Sequence, residues 1–229
     1  MKIVALLPMK ANSERVKGKN FKDFAGKPLF LWILESLLKV NKITSIVINT
    51  DAKEILKKNG LIESDKVLLR KRKKEICGDL ISMNLIIEDD INNIDADIFL
   101  MTHTTNPLLK SSTIDKAISL FTENLEKGEA DSLFTVNKVQ ERFYDLNSKP
   151  INHNPNELAR TQDLEPWFKE NSNLYLFTKE SFKKTNARIG TKPIMMVTEQ
   201  YESTDIDTPD DWDLGEIVVE YYKRKDGVT

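Results

Sequence analysis

Residues 1–28 read MKIVALLPMKANSERVKGKNFKDFAGKP, and the fold is best inferred from this stretch. The apolar run at residues 3–7 has the length of a buried strand, and it ends at Pro8. The polar loop that follows carries Lys10, Arg15, Lys17, Lys19 and Lys22, against the acids Glu14 and Asp23. Phosphate oxygens are anionic acceptors, so a cationic loop at the end of a parallel strand favours polyphosphate binding. A solvated surface loop has a similar composition, and charge alone leaves both interpretations open.

Short apolar runs and longer segments of helical spacing alternate after this loop. Strands are predicted at residues 43–49, 66–69, 97–101 and 131–136. Helices are predicted at residues 29–40, 52–59, 79–94 and 111–127. Pro28 is expected at the first helical position, and Gly60 is expected to close the second helix. The alternation predicts an α/β fold with a mostly parallel sheet and helices on both faces.

A polar segment at residues 138–169, with Pro150, Pro155 and Pro166, interrupts the alternation. Loops of this length in compact domains usually serve as lids, arms or interface elements. Residues 1–229 are therefore predicted to form a single domain with an inserted arm at 138–170. The elements predicted after the arm are a strand at 173–177, a helix at 179–184, a strand at 193–198 and a helix at 209–223 capped by Thr208.

Composition excludes several classes of protein. The chain has 229 residues, 31% of them charged and 40% apolar, which is typical of a globular domain. A formal net charge of -2 argues against general nucleic-acid binding, and the basic run at residues 70–74 is predicted to be a solvated loop. The single cysteine, Cys77, excludes a disulfide framework and a cysteine-based zinc cluster. No secretory signal or membrane-spanning run is found, so a cytoplasmic protein that does not bind membranes is expected.

Asp205 and Asp207 form the second candidate site. They lie two residues apart in a segment predicted to be extended, where side chains at this spacing point to the same face. Two adjacent carboxylates repel each other, and they suit Mg²⁺ when substrate phosphates complete its ligands. Alternatively, the two acids only stabilise the N-terminus of the last helix through its dipole.

The order of these residues resembles that of the sugar-activating cytidylyltransferases. This family makes CMP-linked sialic acids, related nonulosonic acids and 3-deoxy-manno-octulosonate. Over residues 3–215, the pattern is matched in the first loop by Ser13, Arg15, Lys19, Asn20, Gly26, Lys27, Pro28 and Leu29. Asp205-Ile206-Asp207-Thr208 matches the metal-binding signature of the family. Lys10 replaces an arginine, and Glu14 stands where a basic residue is frequent.

The resemblance implies a Rossmann-like fold of the nucleotide-diphospho-sugar transferase type, with an inserted arm that forms a homodimer. It implies an Mg²⁺-dependent cytidylyltransferase that couples CTP to a sialic acid-like nonulosonate or related keto-sugar acid, giving the CMP-sugar and pyrophosphate. The catalytic residues would be Arg15, Lys19, Asp205 and Asp207, with Asp205 and Asp207 as metal ligands. The nucleotide would contact Lys10, Ser13, Asn20, Asp79, Ser82 and Thr105. The sugar acid would contact His103, Arg160, Gln162, Lys169 and Asn171.

Several residues have a second interpretation. His103 replaces a glutamine of the family, Leu109 replaces an arginine, and a lone histidine is usually a structural hydrogen-bonder. Arg160 has the alternative of a plain surface charge. Asn49-Thr50-Asp51 is similar to a family motif, and it would also cap the following helix.

Two other functions are conceivable. A dinucleotide-binding oxidoreductase would need a Gly-x-Gly-x-x-Gly loop, which is absent after the first strand. A relative that has lost catalysis, or that has another sugar or nucleotide specificity, would still bind nucleotide. Without catalysis it would release no pyrophosphate.

Overall fold

The structure is a computed structural model, and it describes residues 1–157 and 159–225. The strands are β1 (Ile3–Leu6), β2 (Asp23–Phe24), β3 (Lys27–Pro28), β4 (Ile43–Thr50), β5 (Val67–Lys71), β6 (Ile98–Thr102), β7 (Ser132–Val139), β8 (Trp167–Phe177) and β9 (Pro193–Val197). The helices are α1 (Leu29–Leu38), α2 (Lys53–Lys58), α3 (Met83–Asn93), α4 (Ser111–Glu126), α5 (Lys179–Thr185) and α6 (Pro209–Lys225).

The main sheet has seven strands in the order β5-β4-β1-β6-β8-β7-β9. Strands β5, β4, β1 and β6 pair in parallel, β8 is antiparallel to both of its neighbours, and β9 is parallel to β7. The predicted α/β fold with a mostly parallel sheet is therefore confirmed. Because β1 lies between β4 and β6, the loop after β1 begins near the middle of the sheet edge.

Both faces of the sheet are covered by helices. Buried side chains of α1, α2 and α4 pack on one face, and those of α3 and α5 pack on the other. Alternate residues of β1 serve the two cores, with Ile3 and Ala5 on the first face and Val4 and Leu6 on the second. A strand buried on both sides reads as a continuous apolar run, which explains why β1 was recognisable from the sequence.

A third apolar cluster joins the two ends of the chain. Phe24 and Leu29 from the first segment pack with Ile206, Trp212 and Val219 from the last. The Phe24 and Trp212 rings meet edge to face, with centroids 5.1 Å apart. This cluster holds α6 and the segment before it against the loop that follows β1.

The helical position predicted for Pro28 and the predicted start of the third helix are wrong. Pro28 precedes α1 as its N-cap residue, because Lys27 and Pro28 pair with Asp23 and Phe24 in the β2–β3 hairpin. The helix expected from residue 79 begins at Met83, where the Ser82 hydroxyl accepts a hydrogen bond from the Asn84 amide at 3.2 Å.

The predicted arm begins as an extension of two sheet strands. The strand expected at residues 173–177 is the end of β8, which already starts at Trp167. Residues of β7 from Val136 to Val139 pair with β8 from Glu170 to Trp167, so the base of the arm is an antiparallel ribbon. Phe143 stacks on Trp167 with ring centroids 5.1 Å apart, which fixes the arm segment after β7 on this ribbon.

The basic run at residues 70–74 is not a solvated loop, and that prediction is wrong. Arg70 lies in β5, and its guanidinium pairs with Asp89 and Asp90 of α3. Arg72 is only 6% exposed. Both arginines are retained in partly or fully buried positions because carboxylates or backbone carbonyls satisfy their donors.

Candidate active site

A cavity of about 410 Å³ lies beside the ends of β1 and β6. The loop after β1, the segment after β5, the loop after β6 and Asp207 line it. Of the predicted site residues, the lining includes Lys10, Ser13, Arg15, Lys19, Asn20, Asp79, Thr105 and Asp207. The structure therefore brings the cationic loop and the second acid of the Asp205/Asp207 pair into one cleft.

Lys19, Arg15 and Asp207 form the central ion-pair cluster. The Lys19 ammonium lies 3.0 Å from Oδ1 of Asp207, and Nη2 of Arg15 lies 2.9 Å from Oδ2. Lys19 also donates to the carbonyl oxygen of Ile206 at 2.8 Å. The Lys19 side chain is 10% exposed and that of Arg15 is 60% exposed. Lys19 is therefore held in place, whereas Arg15 is free to exchange its partner for an anion in solution.

Backbone and side-chain hydrogen bonds shape the loop after β1. The Asn20 amide donates to the Lys10 carbonyl at 2.9 Å and accepts from the Thr104 hydroxyl at 2.7 Å. The Asp51 carboxylate accepts from the Ala11 amide at 2.8 Å. Asp51 thus supports the loop, while Ala52 is the N-cap residue of α2, so the capping interpretation of this motif is wrong. Asn20 lines the cleft mainly as a brace for the loop.

Lys10 and Asp79, both predicted to contact the nucleotide, are ion-paired with each other. Their side chains are 43% and 44% exposed, so water and ligands reach both groups. Ser82 is the cap of α3 and does not itself line the cleft, although its chain neighbours Ile81 and Met83 do. Its nucleotide contact stays a prediction.

Glu14 is an acid in a mostly cationic loop. It lies in the cleft lining and is exposed. It forms no ion pair with any residue in 1–157 or 159–225. An exposed glutamate can turn its carboxylate toward solvent, so its presence does not oppose a phosphate in the cleft. Ser13, its neighbour in the chain, also lines the cleft.

The Asp205–Asp207 segment projects both acids away from the core. Ile206 between them is fully buried against Phe24 and Trp212, so the alternation of faces inferred from the sequence is confirmed. The Ile206 amide donates to the Thr105 carbonyl at 2.8 Å. Loss of hydration raises the pKa of Asp205, the Thr105 hydroxyl lowers it by hydrogen bonding, and the charge of Asp207 raises it further. Thr105 therefore acts on Asp205 as well as lining the cleft.

These surroundings of Asp205 and Asp207 fit a divalent cation. The charge of Asp207 disfavours ionisation of Asp205, and a cation beside the two carboxylates would offset that repulsion. No group of three or more His, Cys, Asp or Glu side chains suited to a metal occurs in the part of the chain that the structure describes. Phosphate oxygens of a substrate would therefore complete the ligands, as is usual for Mg²⁺.

His103, Arg188 and Tyr175 form a second group at the end of β6. Nη1 of Arg188 lies 3.1 Å from Nε2 of His103, and the guanidinium lies over the Tyr175 ring at 4.0 Å. Burial, and then the charge of Arg188, lower the pKa of His103 to about 3. His103 is therefore neutral at physiological pH. Its Nε2 lone pair accepts from Arg188, so this nitrogen is not available as a general base.

Arg72 extends from the segment after β5 into the cleft wall. It donates to the Met9 carbonyl at 3.0 Å, and to the side-chain and backbone oxygens of Asn49 at 3.1 and 2.8 Å. The Asn49 amide in turn donates to Asp90 at 2.7 Å. Burial lowers the pKa of Arg72 from its usual value. This network ties β1, β4 and α3 together beneath the cleft.

The predicted sugar contacts on the arm lie outside this cleft. Arg160 and Gln162 are exposed, and Arg160 pairs with Asp163 at 2.8 Å. Lys169 lines a separate groove of about 930 Å³ at the base of the arm. Asn171 accepts from Thr135 and donates to Thr198, each at 2.8 Å, which makes it a brace between strands. Of the predicted sugar-binding residues, His103 directly precedes a residue of the cleft lining, Thr104.

Two arginines beside the site were missed by the sequence analysis. Arg72 was hidden in a basic run whose composition is that of a surface loop, although Arg70 and Arg72 are two residues apart and share one face of an extended segment. Arg188 lies between α5 and β9 in a segment with no motif, and no signal in the sequence distinguishes it. Both positions follow from tertiary packing.

Comparison with known proteins agrees with this arrangement. A family model described as Cytidylyltransferase matches residues 4–223. The chain belongs to the cytidylyltransferase family, and it is therefore a nucleotidyltransferase. Because the chain belongs to this family, nothing supports the alternative of a dinucleotide-binding oxidoreductase. The glycine-rich loop that such an enzyme needs is also absent after the first strand.

Curated relatives of this cytidylyltransferase are named as enzymes that activate sugar acids. It is 27% identical over 233 residues to the CMP-N,N'-diacetyllegionaminic acid synthase of Legionella pneumophila, with 96% of this chain and 97% of the relative covered. It is 22% identical to a pseudaminic acid cytidylyltransferase of Campylobacter jejuni, with 95% and 96% covered. It is 24% identical to the N-acylneuraminate cytidylyltransferase of Oncorhynchus mykiss, in which it spans 49% of the length.

Solved structures share the fold. A CMP:2-keto-3-deoxy-manno-octonic acid synthetase complexed with CTP superposes with a TM-score of 0.66 at 13% identity, covering 97% of this chain and all of the other. A cytidylyltransferase from Leptospira borgpetersenii superposes with a TM-score of 0.62 at 19% identity, covering 100% and 96%. The expected Rossmann-like nucleotidyltransferase fold is thereby confirmed. Among the described residues, no helix combines the length and apolar character needed to cross a bilayer.

Proposed function

We propose that this cytidylyltransferase transfers CMP from CTP to an acidic sugar, a sialic acid-like nonulosonate or a related keto-sugar acid, with Mg²⁺ as cofactor. The observation that carries the proposal is the meeting of Lys19 and Arg15 with Asp207 in one cleft. A phosphoryl-type transfer needs cations for the leaving phosphates and carboxylates for a metal, and both are present here.

The proposed reaction is an in-line displacement at the α-phosphate of CTP. An oxygen–phosphorus bond forms from the sugar hydroxyl, the bond between the α-phosphorus and the bridging oxygen breaks, and pyrophosphate leaves with that oxygen. Lys19 and Arg15 would neutralise the pyrophosphate, with Lys10 nearby. Mg²⁺ held by Asp205 and Asp207 would lower the pKa of the hydroxyl and offset the charge that develops at phosphorus. The hydroxyl proton would pass to water.

Two ion pairs of the cleft suit this assignment. Arg15 is exposed and pairs with Asp207, so phosphate oxygens would compete for the same donors when CTP binds. Lys10 is also exposed and is paired with Asp79, so phosphate oxygens would compete for its ammonium in the same way. We propose that CTP breaks both pairs, and that Oδ2 of Asp207 is then available to the metal while Oδ1 keeps its ion pair with Lys19. Predicted nucleotide contacts of Ser13, Asn20 and Thr105 remain part of this proposal, because all three line the cleft.

The names of the relatives support the class of sugar. They include synthases or cytidylyltransferases for legionaminic, pseudaminic and N-acylneuraminic acids, all of which are acidic nonulosonates. A CTP complex is recorded for a structural neighbour named for an octulosonic acid, which supports CTP as the nucleotide. A cytoplasmic location belongs to the same proposal.

We further propose that the enzyme is a homodimer formed through the arm. Apolar side chains on and beside the arm are exposed: Leu146, Ile151, Phe168 and Val197 at 101%, 53%, 43% and 50%. Arg160, Gln162 and Lys169 do not line the cleft of their own chain, and a second protomer covering this surface would bring them toward a partner cleft. Light scattering coupled to size exclusion would give twice the 26.3 kDa chain mass if this is right.

The alternative of a catalytically inactive relative keeps the same cleft but predicts binding without turnover. Pyrophosphate release should be measured over four nucleoside triphosphates against a panel of nonulosonic and octulosonic acids, with Mg²⁺ and with EDTA. The proposal predicts release with CTP and one or more of the acids, and its loss with EDTA. Binding of CTP without release across the panel would favour the inactive relative, and release with another triphosphate would overturn the choice of nucleotide.

A further inference from the structure

Arg188 is a partly buried cation that has no carboxylate partner within residues 1–157 and 159–225. Its guanidinium lies over the Tyr175 ring, and Nη1 approaches Nε2 of His103 at 3.1 Å and the Met101 sulfur at 3.5 Å. A neutral imidazole, a thioether and a ring face do not cancel a full positive charge. Burial of an uncompensated charge is costly, so such a site favours an anionic ligand.

The segment that carries Arg188 is fixed to the sheet. The Asp131 carboxylate accepts from the Thr191 amide and hydroxyl at 2.8 Å each, and from the Lys192 amide at 2.9 Å. The Gly190 amide donates to the Ser132 hydroxyl at 2.8 Å. A Cβ atom at Gly190 would lie 2.3 Å from Oδ1 of Asp131, so the close approach requires glycine. Arg188 is therefore preorganised, which lowers the entropic cost of binding a ligand.

The location of Arg188 separates its ligand from the triphosphate. His103 directly precedes Thr104 and Thr105, which line the cleft, so the Arg188–His103 pair lies at the edge of the cleft near the end of β6. Neither residue is among those that line the nucleotide cavity, which is built around the loop after β1. Arg188 stacks on Tyr175 of β8, on the other side of β6 from β1. An anion bound there would belong to the acceptor.

We infer that Arg188 binds the carboxylate of the sugar acid within the same chain, with His103 as a second donor. This inference rests on the proposed function. The hydrogen bond from Arg188 to Nε2 places the His103 proton on Nδ1, which has no partner among the described residues. The guanidinium keeps Nε and Nη2 for an oxygen acceptor, since its hydrogen bonds within the described residues involve Nη1. A carboxylate is the acceptor that such a planar donor group matches best.

The test compares a sugar acid with its neutral C1 carboxamide in wild-type enzyme and in Arg188→Gln. With the acid and saturating CTP, the KM for sugar should rise about 10- to 100-fold, the range for a lost charged hydrogen bond. With the carboxamide, variant and wild type should agree within about threefold, because no charge is left to recognise. The KM for CTP should stay within about twofold. Arg142→Gln, an exposed arginine on the arm, is the matched control.

Equal penalties with acid and carboxamide, or an unchanged KM in Arg188→Gln, would overturn the inference. So would a carboxylate-specific penalty in Arg160→Gln together with none in Arg188→Gln. If Arg188→Gln loses CTP binding through misfolding, Arg188→Lys takes its place, with an expected rise of about 3- to 10-fold for the acid only. Failure of the proposed function is distinguishable, since wild-type enzyme would then release no pyrophosphate with any acid.

Discussion

Lys19 and Asp207 are 188 residues apart in the sequence, yet the Lys19 ammonium lies 3.0 Å from a carboxylate oxygen of Asp207. The contact depends on the cluster of Phe24, Ile206 and Trp212, which packs α6 against the first loop. The cationic loop and the acidic segment are thus one structural unit. Stability and activity should therefore respond together to changes in this unit.

Replacing Lys19 by Met should destabilise the protein. The change removes a donor to Asp207 and to the Ile206 carbonyl at a position that is 10% exposed. Loss of such partially buried hydrogen bonds is expected to lower the free energy of unfolding by about 1–3 kcal/mol. Urea denaturation measures this. Lys17→Met in the same loop is the exposed control and should change stability by less than about 0.5 kcal/mol. Equal effects of the two changes would contradict the assigned role of Lys19.

Arg72→Met should be more damaging than the same change at the adjacent exposed lysine, Lys71. Arg72 satisfies the buried oxygens of Met9 and Asn49, and methionine leaves them without that donor. A loss of about 2–4 kcal/mol in unfolding free energy is expected. Lys71→Met should be close to neutral. If the two variants melt alike, Arg72 is not the brace described above.

Sequence patterns predicted the elements whose signal is local. The apolar run of β1 and the capping residues Thr208 and Asp211 of α6 are of this kind, and the structure confirms both. The alternation around Ile206 also gave the direction of Asp205 and Asp207 correctly. In each case the local structure is determined by residues that are adjacent in the sequence.

Features that depend on distant partners were not predictable from the sequence. Arg72 is buried because carbonyl oxygens of two other strands receive its donors, and Arg188 is placed by Tyr175 and the Asp131 loop. Pro28 fits the first turn of a helix by its own geometry, yet the β2–β3 pairing makes it the N-cap residue of α1. Tertiary contacts decided these positions.

Gly215→Ala should destabilise the protein although alanine favours helix. A Cβ at this position would lie 2.6 Å from Cδ1 of Ile206 and 2.9 Å from Cζ of Phe24. Overpacking of this kind is expected to cost about 1–3 kcal/mol, more than the gain of about 1 kcal/mol from helix propensity. Because Ile206 would move, kcat should fall as well. Leu214→Ala on the exposed face is the control, and an increase in stability for Gly215→Ala would contradict this packing.

Asp90 should make the folded state lose stability as pH rises. Burial raises the pKa of Asp90 from 3.8 to about 6, in spite of the opposing hydrogen bonds from Asn49 and Arg70. The folded state then binds a proton more tightly than the unfolded chain. The resulting stability is complete below about pH 4 and is lost as pH rises through about 6, by on the order of 1–3 kcal/mol.

Comparison with Asp90→Asn isolates the contribution of Asp90 and its coupling to Asp89, because carboxylates away from this pair titrate equally in both proteins. Unfolding free energy should be measured by urea titration at half-unit steps from pH 4 to 7. The wild-type value minus the variant value should decrease across this range. A difference that is constant or that increases with pH would show that Asp90 keeps an ordinary or lowered pKa.

The most direct test of the central claim is pyrophosphate release by Asp207→Asn. Wild-type enzyme with CTP, Mg²⁺ and a sugar-acid panel should release pyrophosphate, and the variant should be at least about 100-fold slower at saturating substrate. Asp210→Asn, an exposed acid at the start of α6, is the matched control and should retain the wild-type rate. An Asp207→Asn enzyme that keeps its fold and releases pyrophosphate at the wild-type rate would contradict the assignment of this cleft as the site of transfer.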